Sequence, residues 1–263
     1  MSVLRSRDNP RVRHWRRLVR DARARRSERR AIIEGPHLVA AYLDQGGRPR
    51  ALLLSEDGSQ RNEIALLARR AAIEPVLLSN SLFRSIADTE APTGIAAEID
   101  LRDSGLRLQD SSCCVLLDGI QDSGNVGTIL RSAAAFGVRD VVLAKGCADP
   151  WSPKALRAGM GGHFALRLLE ADDLLAAIGH FGGKVVCTVA RGGIPVHDLD
   201  LSGRLAWIFG SEGQGVSEAL AERATYRATI PMATGAESLN VAAAAAICLY
   251  ETRRQLSRGG VPF

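Results

Sequence analysis

The sequence predicts a two-domain α/β protein. Three observations carry this. Residues 31–99 alternate four short apolar runs with three helical ones, enough for a small α/β sandwich. Residues 100–112 (DLRDSGLRLQDSS) are polar with few large apolar groups, the composition of a linker. Beyond them a second alternation begins, and its strands are continuously apolar, the pattern of a parallel sheet covered on both faces.

Taken in order, residues 10–30 read as an Arg-rich helix opened by Asn9-Pro10, with proline suited to the first turn. Val12, Trp15, Leu18, Val19 and Ala22 form a narrow apolar stripe on this polar rod. Residues 31–34 are a strand, leading through Gly35-Pro36 into a helix at 37–45 that Gly46-Gly47 closes. Residues 51–55 are a strand and 61–72 a helix. Residues 75–78 are a strand, and Asn80 or Ser81 caps a short helix to Ala87. Residues 95–99 complete the first set. In the second set, 113–117 are a buried strand, 126–136 a helix and 141–144 a strand. A helical turn follows at 155–159, a strand at 164–169 and a helix at 174–180. Residues 184–189 and 205–209 are strands, and 238–256 form a long Ala-rich helix.

Charge is distributed unevenly. The formal net charge is +5, but residues 1–30 hold twelve arginines against Asp8, Asp21 and Glu28, a net +9, which leaves −4 on the remainder. A basic front end on a mildly acidic body suits a polyanion, although most charge runs are simply solvated faces. No run of about 18–20 apolar residues is present to span a membrane. The N-terminal charges precede no apolar core of a secretory signal. The five cysteines (113, 114, 147, 187, 248) form no C-x-x-C pair and mostly sit in apolar segments, which points to a reducing, cytoplasmic location without disulfides. The five histidines are scattered, so no metal site is expected.

Three segments of the second half hold residue types that a core does not need. The first, DGIQDSGNVGTILR (118–131), leaves a buried strand, crosses three glycines and enters a helix. It places Asn125 near a helix N-terminus, where free N–H groups favour polar or anionic ligands, and Arg131 about 1.7 turns later. An Asn cap and a surface Arg explain the same residues. The second, IFGSEGQGVS (208–217), follows an apolar strand with three glycines around Glu212. Glycine lets a backbone approach a ligand closely, and the C-terminal edge of a parallel sheet is where such folds bind ligands. A tight turn with Ser217 as a cap is the plainer alternative. The third, IPMATGAESLN (230–240), crowds Glu237, Ser238 and Asn240 at a helix N-terminus, where Ser238 or Asn240 could be ordinary caps. P-loop, Rossmann G-x-G-x-x-G, G-x-S-x-G and H-E-x-x-H motifs are absent.

In this order the three segments resemble the motifs of the SpoU (TrmH-like) RNA ribose 2′-O-methyltransferases of the SPOUT superfamily. The N-x-G-x-x-x-R box is present as Asn125, Gly127 and Arg131, the G-S-E-G-x-G box as residues 210–215, and the S-L-N box as Ser238, Leu239 and Asn240. Residues 151–161 (WSPKALRAGMG) look like the family's connecting segment, with Gly159 where Ser is frequent. The match covers roughly residues 112–256. Ile33-Glu-Gly-Pro-His-Leu38 is similar to the opening of the family's ribosomal-protein-like substrate-binding domain.

The resemblance implies a C-terminal SPOUT-type α/β knot, trefoil-knotted around a mostly parallel sheet, preceded by a small ribosomal-protein-like α/β/α domain. The division it suggests is a basic helical arm at 1–30, an RNA substrate-binding domain at 31–100, a linker at 101–111 and the knotted methyltransferase domain at 112–263. It further implies a homodimer that needs no metal and uses S-adenosyl-L-methionine. Cofactor contacts are expected at Gly210, Ile230, Leu239, Glu212, Gly213 and Thr188. Catalysis is assigned to Arg131, with Asn125, Glu212, Ser238 and Asn240 around it. Because guanidinium stays protonated, Arg131 is expected to orient the ribose or a phosphate and stabilise oxyanion charge, not to act as a base. RNA contacts are expected at Arg11, Arg13, Arg16 and Arg17 of the arm and at Glu34 and His37. The implied substrate is structured RNA, ribosomal before transfer RNA. A non-catalytic RNA-binding or assembly factor of the same fold is the alternative.

Overall fold

The computed structural model describes residues 3–101, 105, 107–179 and 181–258. The first elements are helices α1 (Pro10–Arg20) and α2 (Ala22–Glu28), then β1 (Arg30–Glu34), α3 (Pro36–Asp44), β2 (Ala51–Ser55), α4 (Glu56–Ser59), α5 (Asn62–Ala71), β3 (Val76–Leu78), α6 (Asn80–Ile86) and β4 (Ile95–Asp100). After a 3₁₀ turn at Leu108–Asp110 come β5 (Cys113–Asp118), α7 (Ser123–Ala135), β6 (Asp140–Ala144), α8 (Pro153–Gly159), β7 (Arg167–Ala171), α9 (Leu174–Gly179) and β8 (Lys184–Thr188). The chain ends with β9 (Ile194–Pro195), β10 (Leu205–Gly210), α10 (Glu218–Arg223), β11 (Tyr226–Thr229) and α11 (Val241–Arg258).

These elements form two compact units. One comprises Met1–Asp103 with Asp149–Phe164, the other Ser104–Ala148 with Ala165–Phe263. The first unit carries a four-stranded sheet in the order β1-β4-β2-β3, antiparallel except for the β2–β3 pair. The sequence places residues 149–164 in the C-terminal domain, but in the structure they pack within this first unit. The apolar side of α8 explains it: Leu156 is buried among Ile33, Val39 and Ile95, with Trp151 and Phe164 beside it.

The basic N-terminal stretch departs from the single Arg-rich helix expected at 10–30. It is two helices broken at Asp21, whose carboxylate caps α2 by accepting the Arg23 N–H at 2.8 Å. Its stripe is not solvated. Val12, Trp15 and Leu18 are fully buried against Leu53, Leu78, Leu82 and Phe83. Burying side chains of this size contributes about 1.5–3 kcal/mol each. A buried carboxylate, Glu98 on β4, accepts the Trp15 indole N–H at 2.9 Å and the Arg30 guanidinium at 3.1 Å, and lies 3.2 Å from His14. Arg25, also buried, pairs with Asp149 at 2.6 Å and donates to the carbonyls of Leu18 and Val19.

The second unit is a seven-stranded sheet, β7-β6-β5-β10-β8-β11-β9, in which every pairing is parallel. Its two faces are covered by separate clusters, one around Val115, Trp207 and Ile129 with α7 and α11, the other around Leu116, Ile208 and Phe181. The Trp207 indole donates to Thr252 of α11 at 3.0 Å, which fixes that helix on the central strand.

Smaller differences have local causes. The strand expected at 164–169 is Arg167–Ala171, because a 3₁₀ turn at Gly162–Ala165 precedes it. The last helix begins at Val241, since Asn240 caps it by accepting the N–H groups of Ala242 and Ala243. Ser79, not Asn80 or Ser81, caps α6. The strands β9 and β11 and helix α10 have no counterpart in the sequence reading; β11 buries only Ala228 and so carries little apolar signal. The linker expected at 101–111 includes Leu108, buried in the second unit. Residues 1–2, 102–104, 106, 180 and 259–263, which fall within the expected arm, linker, helix at 174–180 and C-terminal domain, lie outside the described residues. Among the described residues no helix is long and apolar enough to cross a membrane.

Candidate active site

The three glycine- and asparagine-bearing segments converge at the C-terminal edge of the seven-stranded sheet. The second and third of them, with the end of β8, bound a cleft of about 630 Å³ there, while no residue of the first lines it. Strand β8 delivers Thr188, β10 delivers Gly210, and the loop after it supplies Ser211, Glu212, Gly213 and Gly215. Ile230 and Met232 follow β11, and Ser238, Leu239 and Asn240 precede α11. Ala244 also lines the cleft, so small residues in the first turns of α11 leave room beside it.

Glycine at position 210 is a steric requirement. A Cβ there would lie 2.0 Å from the carbonyl carbon of Gly215 and 2.1 Å from the amide nitrogen of Val216. The loop therefore folds back directly onto its own strand. Its turn is closed by reciprocal backbone hydrogen bonds between Ser211 and Gly215 at 3.0 and 2.9 Å. Gly215, at φ +72, takes the left-handed conformation this closure needs.

A one-directional chain of amides joins the three segments. The Asn125 Nδ2 donates to Glu212 Oε1 at 2.5 Å, and the Asn240 Nδ2 donates to Asn125 Oδ1 at 3.0 Å. Asn240 Oδ1 in turn accepts the first N–H groups of α11. The carboxylate can only accept, so it dictates which way Asn125 faces, and Asn125 dictates Asn240. Asn125 is itself held in the first turn of α7, where Asp122 accepts its backbone N–H at 3.0 Å.

Arg131 stands apart from this chain. It is an exposed residue of α7, outside the cleft lining, with no hydrogen bond or ion pair among the described residues. Among the described residues nothing occupies its guanidinium. Cysteine chemistry finds no support. The five cysteines are buried, and burial pushes their thiols up, Cys113 and Cys248 to about 12, so none is poised as a nucleophile. No group of three metal-binding side chains occurs among the described residues.

In the first unit the residues expected to meet RNA divide. Arg17 is paired with Glu28, and the Arg11 guanidinium lies 5.1 Å over the Trp15 ring. Arg16 has its Nε buried without a partner. Arg13 is exposed and makes no ion pair among the described residues, and so are Arg20 and Arg23, which the sequence reading passed over. Glu34 accepts the Asp88 N–H at 2.9 Å and the Thr89 hydroxyl, so its carboxylate holds the loop before β4. His37 lies 3.2 Å from the Met160 carbonyl.

Residues 112–250 match the SpoU rRNA Methylase family, and residues 9–97 match the MRM3-like substrate binding domain. The chain belongs to the SpoU rRNA methylase family. Among its relatives is the 23S rRNA (guanosine(2553)-2′-O)-methyltransferase RlmP of Bacillus subtilis, 33% identical over 96% of this chain and all of that protein. The solved SpoU methyltransferase AviRb of Streptomyces viridochromogenes, in complex with AdoMet, superposes with a TM-score of 0.85 at 26% identity, covering 94% of this chain and 98% of its own. A solved structure concerned with 2-OH methylation of C/U34 on tRNA aligns with a TM-score of 0.51 at 29% identity, covering 56% of this chain and 98% of its own. Family membership thus extends over both units, and the tRNA-directed structure spans little more than half of the chain.

Proposed function

We propose that this SpoU-family protein transfers a methyl group from S-adenosyl-L-methionine to a ribose 2′-hydroxyl of structured RNA, with ribosomal RNA as the substrate. The observation that carries this is a glycine-walled cleft bounded by residues 210–216 and 238–241, to whose rim the Asn240–Asn125–Glu212 chain ties the 118–131 segment. Its wall offers backbone amides and carbonyls from a glycine-rich loop next to Ile230, Leu239 and Ala244. That mixture fits a ligand with both an adenine ring and polar groups. Leu239 is a large apolar side chain left 40% exposed there, ready to be covered. The bound cofactor supplies an already activated methyl group, so positioning the hydroxyl is a large part of what the protein must do.

The residues divide that work. Gly210 and Gly213 let the loop backbone approach the ligand. Asn125 and Asn240 fix the Glu212 carboxylate at the rim. Arg131, unoccupied and exposed, orients the ribose or a neighbouring phosphate and stabilises negative charge developing on the 2′-oxygen. Arg13, Arg20 and Arg23 present unpaired charge to the RNA backbone. The ribosomal assignment is favoured by the matches of full-length rRNA-directed relatives across the substrate-binding unit. A homodimer, a knotted crossing in the second unit and a cytoplasmic site of action belong to the same reading.

The deciding experiment is transfer of labelled methyl from S-adenosylmethionine to ribosomal RNA, with 2′-O-methyl mapping of the product. Arg131→Ala should lower turnover about 10²–10³-fold while S-adenosylmethionine affinity stays within about threefold. Near-normal turnover in that variant, or no transfer to any RNA by the native protein, overturns the reading.

A further inference from the structure

We propose that Asp118 is a positioning residue that clips the cofactor loop, residues 211–216, onto its strand. This rests on the reading of the cleft as the S-adenosylmethionine site. Nothing about Asp118 in the sequence distinguishes it from any acid at the end of a strand. The structure does. Asp118 is the last residue of β5, in parallel register with Gly210, the last residue of β10. From there its Oδ2 accepts the backbone N–H of Ser217 at 2.8 Å.

Ser217 is where the loop ends and α10 begins. The loop is therefore held at both ends by neighbouring strands. At its start, Gly210 continues β10. At its end, Ser217 is bonded across to β5. Between them, the absent side chain of Gly210 lets Gly215 and Val216 lie on the strand itself. The internal Ser211–Gly215 bonds shape the turn but fix it to nothing outside. The Asn125–Glu212 bond does reach outside, but through a side chain at the tip. Asp118 supplies the backbone anchor. A carboxylate accepting a backbone N–H is a charge-assisted hydrogen bond, stronger than a neutral one. The Ser217 hydroxyl makes no capping bond, so the N–H is the group that matters at this position.

The test uses the full-length protein and three readouts. These are hydrogen–deuterium exchange of residues 211–217 without ligand, S-adenosylmethionine Kd by calorimetry, and steady-state kinetics with RNA. Asp118→Ala should speed exchange selectively in that loop and weaken S-adenosylmethionine binding about tenfold. The cofactor KM should rise by the same factor, with kcat at saturation within about threefold. Asp118→Asn should restore most of the affinity, since its carbonyl oxygen can accept the same N–H. Ser217→Pro removes the donor at a residue whose φ of −58° suits proline. It should reproduce Asp118→Ala, and the double variant should be no worse than either single one. Ser217→Ala should behave as the native protein. Unchanged loop exchange and Kd in Asp118→Ala, an Asn variant as damaged as the Ala variant, or additive losses in the double variant would each overturn the proposal. If the native protein bound no S-adenosylmethionine, the reading of the cleft would fall, and loop exchange alone would then judge the clip.

Discussion

The buried polar cluster of the first unit and the polar chain at the cleft of the second do opposite work. In the first, Glu98 is buried at 6% exposure and gathers Trp15, His14 and Arg30 around it, while Arg25 is buried against Asp149. In the second, the Asn240–Asn125–Glu212 chain lies at the open rim of a cleft. A buried polar cluster is high-stakes for folding, because removing one member leaves another unsatisfied. A surface chain contributes little to stability and can be kept for geometry. The comparison predicts that substitutions in the first unit will cost stability and substitutions at the cleft will cost function.

Trp15→Ala is the largest expected effect. It removes a fully buried indole and orphans a Glu98 oxygen, and should destabilise the first unit by about 3–5 kcal/mol. Thermal or chemical unfolding would read the loss, and S-adenosylmethionine affinity should not change. A change in that affinity would break the comparison. Deleting residues 1–30 is a poorer experiment, because it also takes Val12 and Leu18 out of the core.

Second is a pH effect confined to the first unit. Burial holds His163 well below its ordinary value, at about 4, with its Nε2 2.8 Å from the Pro150 carbonyl. The unfolded chain then binds a proton that the folded one refuses between about pH 6.5 and 4. Stability should fall as pH drops through that window, by about 3 kcal/mol at its acid end. His163→Gln should flatten this part of the stability–pH curve, as measured by denaturant titration. An unaltered curve would remove His163 as its cause.

Third, Asn125→Ala should lower methyl transfer by about a hundredfold, or about 2.7 kcal/mol of activation free energy, with a melting temperature within about 2 °C of native. A large loss of stability would show that the rim chain is structural after all. The smallest effects are expected from Arg13→Gln, Arg20→Gln and Arg23→Gln. Each should weaken RNA binding several-fold and reduce the salt slope of binding by about one. Arg17→Gln, whose charge is already paired with Glu28, should do less.

Much of this was legible along the chain. The apolar stripe Val12, Trp15, Leu18 and Val19 announced a helix because side chains three and four apart share a face. The strand at 51–55 has its observed limits in the sequence because its apolar run Ala51–Leu54 stands between the charged or polar residues Arg50 and Ser55-Glu56. Gly210, Glu212, Ser238, Leu239 and Asn240 stood out because such residues, bunched after a strand or before a helix, have no packing reason to be there. Yet the sequence places the same stripe only on a basic helical arm, since periodicity tells which face is apolar and not what covers it.

What the sequence determined by itself is therefore local: element types, the parallel second sheet and the three motifs with their family. Only the tertiary structure decided that Trp15 is sealed by Glu98, that residues 149–164 join the first unit, and that Asp118 reaches Ser217. The last of these pairs is 99 positions apart, and Asn125 and Asn240 are 115 apart. Contacts at such separations follow from how strands are ordered in a sheet. Neither hydrophobic period nor turn chemistry, which act over a few residues, leaves a trace of them.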